Sequence, residues 1–410
     1  MANLAFSLTP VCHAALDFDA ALALMEKTAT PIGIERIPLA VAAGRVLAEP
    51  VVAMYEAPPV DVSAMDGYAV CAPDSPGAAG TLQVVGQSFP GNPCDRAVGT
   101  GQAVRIFTGA PMPAGADRVV VQEDVARHDD TIVCAALPHV GRHVRCRGSD
   151  FAAGDILLSA GRLLDPRAMV AAAAAGVGHV VVARRPRVTI IASGDELSAP
   201  GTTTNLVHNI PDSVSLAVGA MASAWGGDIV SMAIVPDRPE AIRQRLGEAI
   251  AVSDVVVIVG GASTGDRDFS RDVAWSLGIS QTFAKVAMKP GKPVWHGHSS
   301  GGHVLGLPGN PTAALTTARL FLAPLLCLLT GRAMRDALRW RTAPLRAPAQ
   351  NNDDARETFL CGDWDGESVR LIERQSASAQ ARLAEANVIV RSAASAPAAP
   401  EGAPVTILDF

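Results

Sequence analysis

The residues best suited to chemistry lie in the run Gly260-Gly261-Ala262-Ser263-Thr264-Gly265-Asp266-Arg267-Asp268-Phe269. Gly260, Gly261 and Gly265 let backbone N–H groups come close to a ligand. Ser263 and Thr264 add hydroxyl donors, and the start of a following helix favours anions. Asp266 and Asp268 oppose an anion unless a cation sits between carboxylate and ligand. A phosphate held with Mg²⁺ meets both requirements. The alternative for this loop in isolation is an ordinary βα turn with a capping aspartate.

Further charged residues converge on the same end of the expected sheet. Glu196 in Ser193-Gly194-Asp195-Glu196-Leu197, Asp237 in Pro236-Asp237-Arg238-Pro239, and Asp268 each stand just beyond a predicted strand. Three acids on one rim suit a cation-assisted anion site better than chance placement does. Lys285 and Lys289 are four apart, on the same face of an expected strand, and Lys292 follows the next turn. Lysines opposite carboxylates would neutralise a multiply charged anion. Pro308-Gly309-Asn310-Pro311 is a rigid turn that would shape a wall. Thr108, after a strand and beside Gly109, is a candidate ligand hydroxyl, with a proline-constrained loop as the alternative. Arg145 and Arg147 should share one side of an extended strand and could meet phosphate or carboxylates; a solvated edge strand explains them as well. His296 and His298 form a His-x-His pair with no third ligand in the sequence, so we read no metal site there.

These residues need a scaffold, and the apolar pattern supplies it. Val255–Val259 is short, apolar and β-branched, as a strand buried on both faces should be. Phe269, Val273 and Leu277 recur at helical spacing after the glycine loop. Residues 187–192 and 228–235 read as further strands, and 212–225 as a helix. Pro236-Asp237-Arg238-Pro239 starts a second helix, with Ile242, Leu246, Ala249 and Ile250 on one stripe. Alternating strands and helices predict a mostly parallel sheet with helices on both faces and its ligand at the strands' carboxyl ends. Residues 81–138 hold short strand candidates between Gly/Pro turns. The chain after Gly331 reads as a small β domain. The expected organisation is multidomain α/β plus β. It comprises a mixed helical and extended domain from 1–57 and 141–185, a β-rich insert at 58–140, an α/β domain at 186–331 and a C-terminal β domain at 332–410.

Composition narrows the function classes. A chain of 410 residues with 49% hydrophobic and 18% charged residues can bury several cores. A formal net charge of −6 argues against a general nucleic-acid binder. Seven scattered cysteines without C-x-x-C spacing suggest free thiols in a reducing compartment. We read no signal peptide and no membrane span, since 168–183 is short and Ala/Gly-rich and 315–329 contains Arg319 and Pro324. The expected location is the cytoplasm.

Taken together, the motifs resemble one family. They are Met65-Asp66-Gly67-Tyr68-Ala69, Thr108-Gly109-Ala110-Pro111 with Ala114-Gly115-Ala116-Asp117, and Arg147-Gly148-Ser149-Asp150. To these add Ser193–Leu197, Gly260–Asp268, Lys289-Pro290-Gly291-Lys292-Pro293 and Gly306-Leu307-Pro308-Gly309-Asn310-Pro311. In this order they are similar to the molybdopterin molybdenumtransferases, relatives of the C-terminal domain of gephyrin. The resemblance implies an elongated homodimer of four-domain protomers whose site lies between the α/β domain of one and parts of the other. It implies insertion of molybdate into adenylylated molybdopterin, with Mg²⁺-dependent cleavage of the phosphoanhydride and release of AMP. By resemblance the functional residues are Asp66, Thr108, Asp150, Glu196, Asp237, Asp268, Lys285, Lys289, Pro308 and Pro311. Asp268 and Glu196 would hold Mg²⁺; Gly260, Gly261, Ser263, Gly265 and Lys292 would bind substrate. Molybdopterin adenylyltransferase and molybdoenzyme chaperones are the expected protein partners.

Three places depart from the family pattern. An Asp-Ser/Thr-Asn step is replaced by His208-Asn209-Ile210. A Phe-x-Arg step reads Phe359-Leu360-Cys361, so an arginine resembling an oxyanion ligand is missing. Ala377 stands where a ligand serine is expected. Arg382 is the first candidate to replace the lost cation and Arg356 the second. These departures bear on molybdate more than on pterin or phosphate. They leave two alternatives open: a catalytically weak paralogue that binds or delivers the cofactor, and a molybdopterin adenylyltransferase.

Overall fold

The computed structural model describes residues 15–71, 80–202, 209–261 and 269–410. Its centre is a six-stranded sheet in the order Asp228–Val235, Arg187–Ser193, Val255–Val259, Gly302–Leu307, Trp295–Ser299, Ser280–Phe283. The first four strands are mutually parallel, and the last two extend the sheet antiparallel. Val255, Val257 and Val259 face one core, with Phe18, Val218, Leu305 and Phe321. Val256 and Ile258 face the other, with Ile242, Leu246 and Val273. Period-two alternation inside an all-apolar run is what burial on both faces requires.

The long Pro311–Leu329 helix is apolar enough to span a bilayer but lies almost wholly inside the protein. Its middle, Ala318–Leu322, is a π-helical turn just before Pro324. A proline cannot donate to the preceding turn, and a wider turn absorbs the misfit.

Three other layers surround this centre. Ile34–Pro38 pairs with His179–Ala183, and Val51–Val52 with Ile156–Leu158, so segments on either side of the β-rich stretch share a core with Leu47, Leu164 and Val182. Between them a six-stranded mixed sheet runs Arg118–Val121, Gly67–Val70, Gln102–Ile106, Gly80–Ser88, Thr131–Cys134, Val125–His128. Gly67 is required there, because a Cβ would stand 2.0 Å from the Val120 carbonyl oxygen. The chain after Gly331 builds a sheet from Glu357–Trp364, Val388–Ser392, Pro404–Asp409 and Arg341–Pro344.

Three expectations need correction. The Phe18–Thr28 helix, grouped by sequence with 1–57, buries Phe18, Ala21, Leu22 and Met25 in the central core. Phe18 meets Phe321 and Phe359 edge-on at 5.6 and 5.0 Å, so this helix wedges the central sheet against the C-terminal one. Lys285 and Lys289 do not share a strand. The strand Ser280–Phe283 ends before Lys285, and the two-residue strand Met288–Lys289 leaves the central sheet to pair with Glu357–Trp364. Arg145 and Arg147 do not share one either, since Val144–Arg145 ends at once in a turn. Arg147 turns to Glu56, a partner far away in sequence.

Candidate functional site

Two cavities open where the parallel strands end. The larger, about 520 Å³, is lined by Ser193, Glu196, Asp237, Gly260, Gly261, Pro308 and Pro311, with Asp212, Asn310, Ser378 and Gln380. Topology puts these together. Arg187–Ser193 pairs with both Asp228–Val235 and Val255–Val259, and the last of these pairs with Gly302–Leu307. Their C-terminal loops therefore stand side by side. The Gly260 N–H donates to the Leu307 carbonyl at 3.1 Å. Gly260 holds φ +87°, and a Cβ there would lie 2.6 Å from the Ser193 carbonyl oxygen, so only glycine carries the chain away from this strand without strain.

Asp237 is held in place from two directions. The Ser193 hydroxyl donates to its carboxylate at 2.5 Å, and its own N–H donates to Asp195 at 3.2 Å. That leaves carboxylate capacity for a ligand or cation. Asp212, overlooked at the sequence level, accepts the N–H groups of Val214 and Ser215 and so fixes a helix start at the cavity wall.

The second cavity, about 350 Å³, shares Pro293, Pro308 and Asn310 with the first. It is lined by Lys289, Lys292, Arg356, Thr358, Gln375 and Ala377 among others. Arg356 is held on Asp354 through Nε at 2.7 Å and Nη2 at 2.6 Å, and Lys289 stands 3.5 Å from the same carboxylate. Those bonds, Arg356 first, hold the Asp354 carboxyl well below the usual range. Ala377 contributes backbone: its carbonyl accepts the Thr312 N–H at 2.9 Å and the Ala313 N–H at 3.3 Å. It thereby occupies the N-terminus of the Pro311–Leu329 helix, where an anion could otherwise bind.

The remaining expected residues lie elsewhere. Asp66 and Thr108 meet each other: the Thr108 N–H and hydroxyl both donate to Asp66 at 2.8 Å, which lowers the Asp66 pKa. Neither they nor Asp150 lines either cavity. Lys285 also stands outside both linings, with its carbonyl accepting the Leu16 N–H. Arg382 is paired with Glu385 at 2.6 Å and lines neither cavity, whereas Arg356 does. Cys361 is 2% exposed on Glu357–Trp364, and burial pushes its thiol up to about 11. Ser263, Gly265, Asp268 and His208 fall outside the described residues.

His296 is a fully buried core residue. Its Nε2 is 3.1 Å from Nδ1 of His303, and burial pushes both imidazoles down, His303 to about 4. Among the described residues no group of three or more His, Cys, Asp or Glu side chains is placed to hold a metal ion by itself.

Residues 16–176 match the MoeA N-terminal region (domain I and II), and residues 189–327 match a probable molybdopterin binding domain. The chain is 33% identical over 322 residues to the molybdopterin molybdenumtransferase of Haemophilus influenzae, covering 78% of each. It is 35% identical over 344 residues to that of a Nostoc species, covering 80% of this chain and 76% of the relative. Among solved structures it superposes on a molybdopterin biosynthesis MoeA protein of Pyrococcus horikoshii with TM-score 0.78 and 28% identity, covering 97% of this chain and 99% of the other.

Proposed function

This chain belongs to the molybdopterin molybdenumtransferase family of transferases, which act in molybdenum cofactor biosynthesis, and from that premise we propose that it inserts molybdenum from molybdate into adenylylated molybdopterin and releases AMP. One observation carries this reading: a carboxylate-lined cleft stands beside a cation-lined one, with Pro293, Pro308 and Asn310 lining both. The larger cleft is the size of a small-molecule site. Its glycine loop suits the diphosphate. Lys289, Lys292 and Arg356 next door suit a tetrahedral dianion, which needs donors and compensating charge when it leaves water.

Mg²⁺ fits the donor set, since Glu196 and Asp237 offer hard carboxylate oxygens. Mg²⁺ commonly keeps several waters and shares phosphate oxygens, so a few carboxylates are enough to hold it. Glu196 and Asp237 would hold it, joined by Asp268. When bound it would neutralise charge on the diphosphate. The protein's own part is positional. Ser193 aims Asp237, the turn beyond Gly260, whose own N–H is taken by Leu307, brings backbone donors to the phosphates, and the lysines and Arg356 orient molybdate beside the sulfurs of the molybdopterin.

Asp66, Thr108 and Asp150 line neither cleft of their own chain, and we place them at the cleft of a second copy in a homodimer. A monomer by light scattering at micromolar concentration would end that arrangement. The function is tested by incubating the protein with adenylylated molybdopterin, Mg²⁺ and molybdate and measuring AMP. Molybdate-dependent AMP is expected, and AMP no higher than in the molybdate-free control refutes the transferase reading. By resemblance Cys361 replaces an arginine of the family, and that departure favours one second reading, a cofactor-binding paralogue. That protein would retain the adenylylated pterin in the same assay without cleaving it.

A further inference from the structure

A third cavity, about 440 Å³, lies away from both clefts, where residues 161–167, 319–339 and 408–410 meet. Arg162, Arg167, Arg319, Arg332 and Arg339 line it. A smaller cavity of about 120 Å³ shares Trp225 and Arg332 with it and adds Arg45 and Arg185. In a chain of net charge −6 this is a marked concentration of positive charge.

The local carboxylates do not balance it. Asp165 is shared by Arg162 at 3.0 Å and Arg167 at 2.8 Å. Asp336 is shared by Arg332 at 3.6 Å and Arg339 at 3.2 Å. Asp409, the third acid in the lining, is engaged by Arg341 from outside the cavity. Arg319 forms no ion pair among the described residues, and Asp409, already engaged by Arg341, offsets its charge only in part. Its side chain is nearly buried, with Nε donating to the Asp409 carbonyl and Nη2 to the Ala337 carbonyl, both at 2.8 Å. Its Nη1 is buried and donates to nothing. Burial pushes this guanidinium down to about 10, the mark of a charge short of compensation. Arg319 also sits in the π-helical turn, a distortion often found at binding sites.

We propose that this junction is a second anion site, which takes a compact, multiply charged phosphate of the inorganic pyrophosphate class. Multiple charge is called for because five arginines meet two carboxylates of their own. Compactness is called for because the Trp225 ring already carries Arg319 at 4.9 Å and Arg332 at 5.7 Å, so recognition falls to charge and not to base stacking. Arginine forks suit phosphate oxygens better than any other side chain. A ligand here ties together three chain segments that are distant in sequence.

The test is calorimetric titration of the full chain with inorganic pyrophosphate, in EDTA to keep the Mg²⁺-dependent cleft out of play, at fixed ionic strength. Arg167 and Arg339 side chains are 87% and 74% exposed, so the Arg167→Ala/Arg339→Ala double variant should fold normally. We expect it to bind pyrophosphate about ten-fold or more weakly than wild type. Lys289→Ala/Lys292→Ala, which alters the other cleft, should retain the arginine-dependent binding, and sulfate should bind wild type more weakly than pyrophosphate. The proposal is overturned if wild type gives no saturable binding, if the arginine pair leaves affinity unchanged, if the lysine pair abolishes it, or if sulfate competes equally. Failure here leaves the molybdate-dependent AMP assay untouched.

Discussion

Replacing Gly260 by alanine probes the geometry on which the site depends. At φ +87° an L-residue is strained by roughly 1–2 kcal/mol. The added Cβ would stand 2.6 Å from the Ser193 carbonyl oxygen and 3.6 Å from its carbon. Both atoms belong to the backbone of the neighbouring strand, so relief requires the strands to part. Overpacking of that kind costs about 1–3 kcal/mol. Alanine restricts the unfolded chain and returns roughly 0.4–1 kcal/mol. The net loss is about 2–4 kcal/mol, and the loop that leads to Asp268 must shift. A displacement near 1 Å in a positioned site can cost on the order of 10²-fold in rate. Stability is read from the transition assigned to the central sheet in a calorimetric or denaturant melt, because a chain with several cores need not unfold in one step. Rate is read as molybdate-dependent AMP. Two glycines set the scale. Gly261→Ala meets its nearest atom, Ser270 Cβ, at 3.4 Å and should cost only the strain of its φ of +60°, about 1–2 kcal/mol. Gly247→Ala, in the Pro239–Val252 helix with nothing within 4 Å, should stabilise by up to about 1 kcal/mol. If Gly260→Ala is as stable and active as wild type, the tight junction between the Ser193 and Gly260 strand ends is wrong.

Two further predictions follow from the same structure. Asp354 competes for the cations of the second cavity, so Asp354→Asn should lower the molybdate concentration for half-maximal AMP release several-fold, and Arg356→Ala should raise it by about ten-fold; unchanged molybdate dependence in both variants would remove this cavity from the anion site. The buried His296–His303 pair makes folding sensitive to acid. Both imidazoles stay neutral in the fold but protonate near 6.5 when unfolded, so their contribution is complete above about pH 6.5 and drains away toward pH 4, by roughly 1.4 kcal/mol for each pH unit crossed by His303. Melting profiles should show a shallower acid limb in His303→Gln than in wild type, and identical limbs would exclude the pair as the cause.

Much of the central architecture is legible in the chain. The apolar β-branched run at Val255–Val259, the helical stripe of Ile242, Leu246 and Ala249, and the glycines after the strand encode local geometry, and their neighbours only confirm it. The rim of Glu196, Asp237 and Gly260 follows from the same logic, since parallel strands deliver their C-terminal loops to one edge. The lysines show where such reasoning stops. Four-residue spacing matches two residues on one face of a strand, but the strand at Lys285 does not exist, because residues 288–289 are drawn off to pair with residues 357–358 of the C-terminal sheet. No local period records that competition between sheets.

Other features depend wholly on which distant segments pack together. Arg147 reads as half of an arginine pair until Glu56, ninety-one residues away, claims it. Arg382 reads as the first candidate and Arg356 as the second, but a short helix turns the first onto Glu385 while the strand leading to Thr358 delivers the second to the cavity. Cys361 reads as a lost ligand, yet its thiol lies in the interior and not in the lining. The arginines around Trp225 come from positions 45 to 339, and their excess over carboxylates exists only in space. The sequence by itself determined the central strands and helices and the loops at their ends, because those obey periodicities of two and 3.6 residues and the steric freedom of glycine. The tertiary structure alone decided which charges neutralise one another and which remain available to a ligand, because Coulomb attraction and desolvation act through distance in space, to which separation along the chain is no guide.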